Sequence, residues 1–205
     1  MLGRLDYSAL PFYSMVAFGG AAFTVFMALL VVGLITYFKG WGWLWHNYLT
    51  TVDHKRIGVM YIVVALVMLV RGFCDAIMMR AQQMMSAHGG TGYLEGDHFQ
   101  QVFSSHGTIM IFFVAMPFMT GLINFVLPLQ LGARDVAFPR LNALSFWLTV
   151  AGAGLMLISL VLGKFSTAGW TGYPPLSGIA ASPGVGVDYW LWSVWISGWG
   201  STLSA

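Results

Sequence analysis

The sequence is short of charge and of cysteine. Asp, Glu, Lys and Arg make up 8% of its 205 residues, whereas a soluble domain carries roughly a quarter of such residues. The single cysteine, Cys74, excludes a disulfide framework and a cluster of cysteine metal ligands. The net charge of +2 is too small to indicate nucleic-acid binding, and no basic stripe alternates with aromatic residues. Composition thus excludes a soluble domain and a nucleic-acid partner.

Long uncharged runs take the place of the missing charge. The first, residues 7–38, is too long for the apolar core of a cleaved signal peptide. A helix needs roughly 20 apolar residues to cross about 30 Å of hydrocarbon. We therefore predict an all-α, polytopic transmembrane bundle without a sheet, whose last segment stops inside a helix at Ala205. The five predicted segments lie at about 14–38, 57–80, 102–131, 142–163 and from 189 onward.

Basic residues predict the orientation of these segments. Lys39, Lys55 and Arg56 lie in the first loop, and Arg134 and Arg140 lie in the third. The second and fourth loops carry one basic residue each. Because short cytoplasmic loops are enriched in Lys and Arg, we expect the first and third loops to face the cytoplasm. The N-terminus, the second loop and the fourth loop then face outward.

Two ionisable residues lie within the second segment. Arg71 and Asp75 are one helical turn apart, so their side chains meet on one face. Arg71 lies about 22 Å along the helix from Arg56, in the outer half of the bilayer. Each ionisable group at this depth costs at least about 2.5–3.5 kcal/mol and usually marks a ligand, proton or ion pathway. The alternative is a structural ion pair that locks two helices together.

Polar residues also mark the outer end of the third segment. His98 and Gln101 lie within about 60° of each other around a helix axis and can share a face, whereas Gln101 and His106 differ by about 140°. This spacing indicates two separate sites. His106 is either a hydrogen-bonded core residue or a metal ligand, and neutral imidazole is a common axial ligand of haem.

A third polar group lies at the cytoplasmic end of the same segment. Asp135 follows Arg134 in the third loop, with Asn124 before it and Asn142 after it. One interpretation is a solvated carboxylate that pairs with Arg134. The other is a proton entrance, in which a surface carboxylate leads to amides that order water.

Several stretches of the sequence resemble subunit I of the haem-copper oxidases. The first is TVDHKRIG, from Thr51 to Gly58, and the second runs from His106 to Asn142 as HGTIMIFFVAMPFMTGLINFVLPLQLGARDVAFPRLN. The fourth loop adds WTGYPPLSG and SPGVGVDYW in the order of the family. The resemblance implies that residues 51–205 form the N-terminal part of the subunit core. Residues 1–50 would then form an extra N-terminal transmembrane helix and a cytoplasmic loop.

The resemblance is closest to one branch of this family. The combination of Arg71, Asp75, His98 and Gln101 is similar to the quinol-binding set of the bo-type ubiquinol oxidases. It implies that ubiquinol is the electron donor and that these four residues bind it.

Two further sets of residues take roles from the resemblance. His106 resembles an axial ligand of the iron of a low-spin haem, implied to be haem b, and Arg80 and Trp170 resemble neighbours of that haem. Asp135 resembles the mouth of a proton-uptake channel. Two asparagines, Asn124 and Asn142, resemble residues along that channel.

The family also implies an activity for the whole protein. It would be a multi-pass respiratory oxidase of the bacterial inner membrane that oxidises ubiquinol, reduces oxygen to water and pumps protons. Membrane lipid and other oxidase subunits, in a hetero-oligomer, are the expected partners. The ligands of a high-spin haem (haem o or haem a) and of copper would lie in a later part of the subunit, so this segment is not expected to be active alone. From the residues alone, a haem-free transporter or proton-conducting subunit and a non-catalytic packing subunit are the alternatives.

Overall fold

The computed structural model describes Tyr7, residues 10–162 and residues 164–204 of the chain. Regular secondary structure in this part is helical, with no strand, and this confirms the all-α prediction. The helices are α1 (Met15–Tyr37), α2 (Trp41–Leu44), α3 (His54–Ser86), α4 (Gly96–Thr108), α5 (Met116–Gln130), α6 (Pro139–Val161) and α7 (Gly186–Ser204). Two π-helical turns, Trp45–Leu49 and Ile109–Ala115, extend α2 and join α4 to α5.

Four of these helical stretches are long and apolar enough to cross a membrane. They are Met15–Tyr37, His54–Gly89, Gly96–Gln130 and Pro139–Val161. The chain is therefore a membrane protein, as predicted. Helix α7 coincides with the fifth predicted segment and has 19 residues; its crossing of the membrane stays a prediction.

Local chemistry explains where helices begin and change register. Asp53 caps α3, because its Oδ1 accepts a hydrogen bond from the Lys55 N–H at 2.9 Å. Partial burial favours the neutral acid, but this hydrogen bond and the Lys55 ammonium outweigh it and hold the pKa of Asp53 below its ordinary value. Pro139 opens α6, where its missing N–H costs nothing. Pro117 has no N–H for the carbonyl of Phe113, and the α-helical register is interrupted just before it.

Helix α3 lies at the centre of the bundle and packs against α4, α5 and α6. One buried cluster joins Ile57 and Tyr61 of α3 to Phe146 of α6. A second joins α3 to the π turn, to α6 and to the loop that follows it; its members are Met68, Ile109, Phe113, Ala153, Met156 and Phe165. Helix α1 lies apart from this core, with Ala21 as its one buried residue. Most large apolar side chains of α1 are exposed.

Glycines allow two pairs of helices to approach until their backbones touch. A Cβ atom built on Gly58 of α3 would lie 2.8 Å from the carbonyl oxygen of Gly121, and a Cβ on Gly121 would lie 2.8 Å from that of Gly58. Helix α6 meets α7 in the same way, because a Cβ on Gly152 would lie 2.6 Å from the carbonyl oxygen of Ser193. Small residues are the usual means of close helix packing in membranes, where burial from water supplies no force between helices.

We predict that Gly152→Ala destabilises the protein and that Gly154→Ala does not. The added methyl group at 152 forces α6 away from α7, which costs about 1–3 kcal/mol of the free energy of unfolding. A Cβ on Gly154, two residues later, meets no atom within 4 Å. Thermal unfolding of the detergent-solubilised protein compares the two variants, and an equal loss in both would contradict the close approach.

Candidate functional site

The ion pair predicted on α3 forms inside the bundle. Arg71 Nη1 contacts Asp75 Oδ1, and the Asp75 side chain has no exposed surface. The Arg71 side chain keeps 18% of its surface exposed. Nearby residues of α3, namely Val70, Phe73 and Cys74, are exposed. The pair therefore spans the boundary between the buried side of α3 and its exposed side.

Ser105 of α4 joins this pair and was not predicted from the sequence. Its hydroxyl donates a hydrogen bond to Asp75 Oδ2 at 2.8 Å and lies 3.5 Å from Arg71 Nη2, which donates to it. Both carboxylate oxygens of Asp75 are thus engaged. The spacing of Ser105 held a usable signal, because it lies seven residues after His98 and so on the same face of α4.

His98 lies at the edge of the same polar group. Its ring is half-buried and within electrostatic range of Arg71 and Glu95. The ring of Tyr13 packs edge-on against it, with 5.8 Å between ring centroids. Burial, together with the nearby charge of Glu95, raises the pKa of Tyr13 above its ordinary value. Tyr13 ends a short 3₁₀ turn before α1, so the N-terminal helix brings a side chain to this site that the sequence did not point to.

Gln101 is directed elsewhere. Its Oε1 accepts a hydrogen bond from the Phe165 N–H at 3.3 Å, in the loop between α6 and α7. Gln101 therefore ties α4 to this loop, and its role in binding quinol stays a prediction.

His106 is held in one orientation by α3. Its Nδ1 lies 2.9 Å from the carbonyl oxygen of Gly72. Since a carbonyl only accepts, the neutral imidazole that makes this bond has its proton on Nδ1 and a lone pair on Nε2. Histidines that bind metals usually donate their other ring N–H to such a carbonyl or to a carboxylate. The donor chemistry of His106 thus fits an axial ligand of haem iron through Nε2.

The two predicted neighbours of the haem lie in different surroundings. Trp170 packs against the turn that carries His106, because a Cβ built on Gly107 would lie 2.9 Å from the Trp170 Cβ. The centroid of the Trp170 ring also lies 6.3 Å from the centroid of the Phe112 ring. Arg80 is exposed and donates a hydrogen bond to Gln83 Oε1 at 3.1 Å near the end of α3.

The predicted proton entrance lies at the other end of the bundle, beyond α5. Asp135 is half-buried, and its Oδ1 accepts a hydrogen bond from the Val136 N–H at 2.8 Å. Asn124 and Asn142 are both buried, and neither amide atom of Asn142 has a hydrogen-bond partner among the described residues. Buried His54 is bonded through Nδ1 to the backbone carbonyl of Asn124 at 2.8 Å.

Hydroxyl groups continue this polar region toward the middle of the bundle. Buried Tyr61 of α3 shares a hydrogen bond with Ser145 of α6, and the Thr149 hydroxyl donates to the Ser145 carbonyl at 3.0 Å. A cavity of about 120 Å³ lies beside them, which is enough for several water molecules. Polar residues that line it are Tyr61, Thr120, Thr149, Ser197 and Ser201. These hydroxyls escaped sequence analysis, because Ser and Thr are common in transmembrane helices and carry no distinctive spacing here.

Comparison with known proteins relates these features to one family. The family described as Cytochrome C and Quinol oxidase polypeptide I matches residues 56–205. The whole chain is 56% identical over 204 residues to Ubiquinol oxidase subunit 1 of Acetobacter aceti, of which it covers 31%. It is 53% identical over 204 residues to Cytochrome bo(3) ubiquinol oxidase subunit 1 of Buchnera aphidicola subsp. Acyrthosiphon pisum, again covering 31% of that protein.

A further relative has a different name. The chain is 56% identical over 205 residues to Probable cytochrome c oxidase subunit 1 of Bradyrhizobium diazoefficiens, of which it covers 30%. The chain thus spans less than a third of the length of these three relatives. The match to residues 56–205 and these identities agree with the motifs, and the chain belongs to the family of cytochrome c and quinol oxidase polypeptide I, the haem-copper oxidase subunit I.

Proposed function

We propose that this chain is part of a proton-pumping ubiquinol oxidase of the bacterial inner membrane. It would carry the quinol site, one ligand of a low-spin haem and the entrance of a proton channel. The observation that carries the proposal is the Arg71–Asp75 pair, which lies in a helix long and apolar enough to span a membrane and reaches the exposed side of that helix through Arg71. Ubiquinol is dissolved in the lipid, so its site has to open sideways from the bundle.

Quinol oxidation requires groups that accept protons and a group that donates a hydrogen bond to an oxygen atom of the quinone. Ubiquinol loses two electrons and two protons to become ubiquinone. We assign proton acceptance to Asp75 at one hydroxyl and to His98 at the other, while Arg71 donates a hydrogen bond to a quinone oxygen. Because Asp75 has no exposed surface, the incoming quinol meets Arg71 first. The Arg71 side chain must turn before a quinol hydroxyl reaches Asp75.

His106 would hold the iron of a low-spin haem through Nε2. The hydrogen bond from Nδ1 to Gly72 orients Nε2 and strengthens it as a ligand. A haem held there would supply electron transfer away from quinol. The other ligand of this haem, and the ligands of the high-spin haem and of copper, would lie in the remaining length of the subunit.

We assign the polar region beyond α5 to proton uptake. Asp135 would receive protons at the cytoplasmic surface, and Asn124 and Asn142 would order the water that carries them inward. The unpartnered amide of buried Asn142 supports this assignment, because a buried polar group without a partner normally binds water. Beyond it, the Tyr61–Ser145 hydroxyls and the cavity extend the route toward the centre of the membrane.

We expect Asp75→Asn and His98→Asn each to reduce quinol oxidation by about 100-fold, the effect of losing a positioned acid–base group. Arg71→Gln should also reduce it strongly, because the charged donor to the quinone oxygen is lost. The low-spin haem spectrum should survive, because His106 is held by Gly72 and not by these side chains. Turnover with a short-chain ubiquinol and the optical spectrum are measured on the same preparation of the full-length, assembled oxidase. Turnover is also measured with reduced cytochrome c as the electron donor in place of ubiquinol.

A double variant separates catalysis from structure at this pair. Removing one member of a buried ion pair leaves the other charge uncompensated, whereas replacing both is often tolerated. Combined Arg71→Gln and Asp75→Asn should therefore restore thermal stability but leave quinol oxidation low. Recovery of turnover in the double variant would show that the pair is only structural.

We expect His106→Gln to remove the low-spin haem signal from the full-length subunit, since the amide cannot replace imidazole as an axial ligand. The exposed His46, changed in the same way, is the control and should leave the optical and electron paramagnetic resonance spectra unaltered. An assembly purified without any haem absorbance would favour a haem-free transporter or proton-conducting subunit instead.

We expect Asp135→Asn to leave quinol binding intact and to slow turnover or lower the number of protons pumped per oxygen. The substitution keeps the size of the side chain and removes the group that titrates. Proton release by the oxidase in sealed vesicles measures the effect, and Asp135→Glu should retain most of the pumping. Unchanged proton translocation in Asp135→Asn would contradict the assignment.

A further inference from the structure

The Ser105 hydroxyl does not form the hydrogen bond that is usual for a serine inside a helix. Ser and Thr inside a helix usually bond back to a carbonyl in the preceding turn. Thr108 does so to the carbonyl of Ser104 at 2.8 Å, and Thr149 does so to that of Ser145 at 3.0 Å. The Ser105 hydroxyl instead crosses to α3 and donates to Asp75 Oδ2 at 2.8 Å.

This hydrogen bond meets a requirement of the buried carboxylate. An ionised carboxylate without exposed surface is costly unless its oxygens are paired or hydrogen-bonded. Arg71 engages Oδ1, and Ser105 is the hydrogen-bond donor to Oδ2 among the described residues. The same hydroxyl lies within 3.5 Å of Arg71 Nη2, which donates to it. Ser105 therefore bridges the two charged groups.

A second cross-link lies directly beside the first. His106, the next residue, is bonded to the carbonyl of Gly72, which follows Arg71. Helices α3 and α4 are thus joined by two adjacent hydrogen bonds, one at the ion pair and one at the imidazole. The contact of Ser105 with Asp75 lies on the same turn of α4 as His106, and each hydrogen bond has its own partner on α3.

We propose that Ser105 is a positioning residue for quinol oxidation, which turns the Asp75 carboxylate toward Arg71 and holds it there before quinol arrives. The proposal rests on the assignment of Asp75 to the quinol site. The proposal implies that an oriented Asp75 carboxylate binds quinol more tightly than one that is free to rotate, because less side-chain entropy is lost on binding.

The test uses the full-length, assembled oxidase and three variants. Ser105→Ala removes the hydroxyl, and Ser105→Thr retains it. Ser104→Ala is the matched control, since Ser104 is equally buried and its hydroxyl accepts a hydrogen bond from Gly169 instead. KM and kcat are measured with a short-chain ubiquinol. The carboxylate bands are followed in infrared redox difference spectra, with the Asp75 band assigned from Asp75→Asn.

Ser105→Ala should raise KM about tenfold, the effect of one lost hydrogen bond to a charged group. The value of kcat should change by less than about twofold, because the reacting groups remain. The Asp75 carboxylate band should shift in Ser105→Ala and keep its position in Ser105→Thr and Ser104→Ala. An unshifted band with an unchanged KM in Ser105→Ala would overturn the proposal, and so would loss of the low-spin haem together with activity.

The same preparations separate this proposal from the proposed function. If Arg71→Gln and Asp75→Asn retain full quinol turnover, the quinol site itself is wrong, and the role of Ser105 is wrong with it. If those variants lose turnover while Ser105→Ala matches the unsubstituted enzyme in KM and in the carboxylate band, only the role of Ser105 is wrong.

Discussion

A carboxylate with no exposed surface determines how α3 and α4 face each other. Asp75 lies in a helix that crosses the membrane, where an unpaired charge costs several kcal/mol. Its two oxygens are engaged by Arg71 from the same helix and by Ser105 from the next. The next residue of α4, His106, is bonded to the Gly72 carbonyl directly beside these contacts. The proposed quinol site and the proposed haem ligand therefore share one helix interface.

The bundle separates two kinds of polar group along its length. The charged group around Asp75 and His98 lies near the start of the helical stretch Gly96–Gln130, while Asp135 lies beyond its end. A helix of 35 residues rises by roughly 50 Å. Between the two ends run buried hydroxyls and a cavity large enough for water. Quinol oxidation near one surface and proton uptake from the other is an arrangement that this geometry supports.

Close packing makes the buried contacts possible. Backbone contact at the Gly58–Gly121 crossing draws α3 toward α5, and Gly152 draws α6 toward α7. The N-terminal helix packs more loosely, yet Tyr13 in front of it covers one side of His98. In the proposed quinol site, this ring would limit how quinol approaches His98. The helix outside the core thus takes part in shaping the proposed site.

The sequence by itself determined the helical class, the spanning stretches and the pairing of Arg71 with Asp75, because these depend on apolar run length and on neighbours four residues apart. Family motifs added the roles proposed for His106 and Asp135. Tertiary structure decided which helix faces meet, and those contacts join residues far apart in the chain, which helical periodicity does not encode. Ser105 reaches Asp75 across 30 residues, and Tyr61 reaches Ser145 across 84. For the same reason Gln101, grouped with His98 by spacing, is bonded to the loop at Phe165.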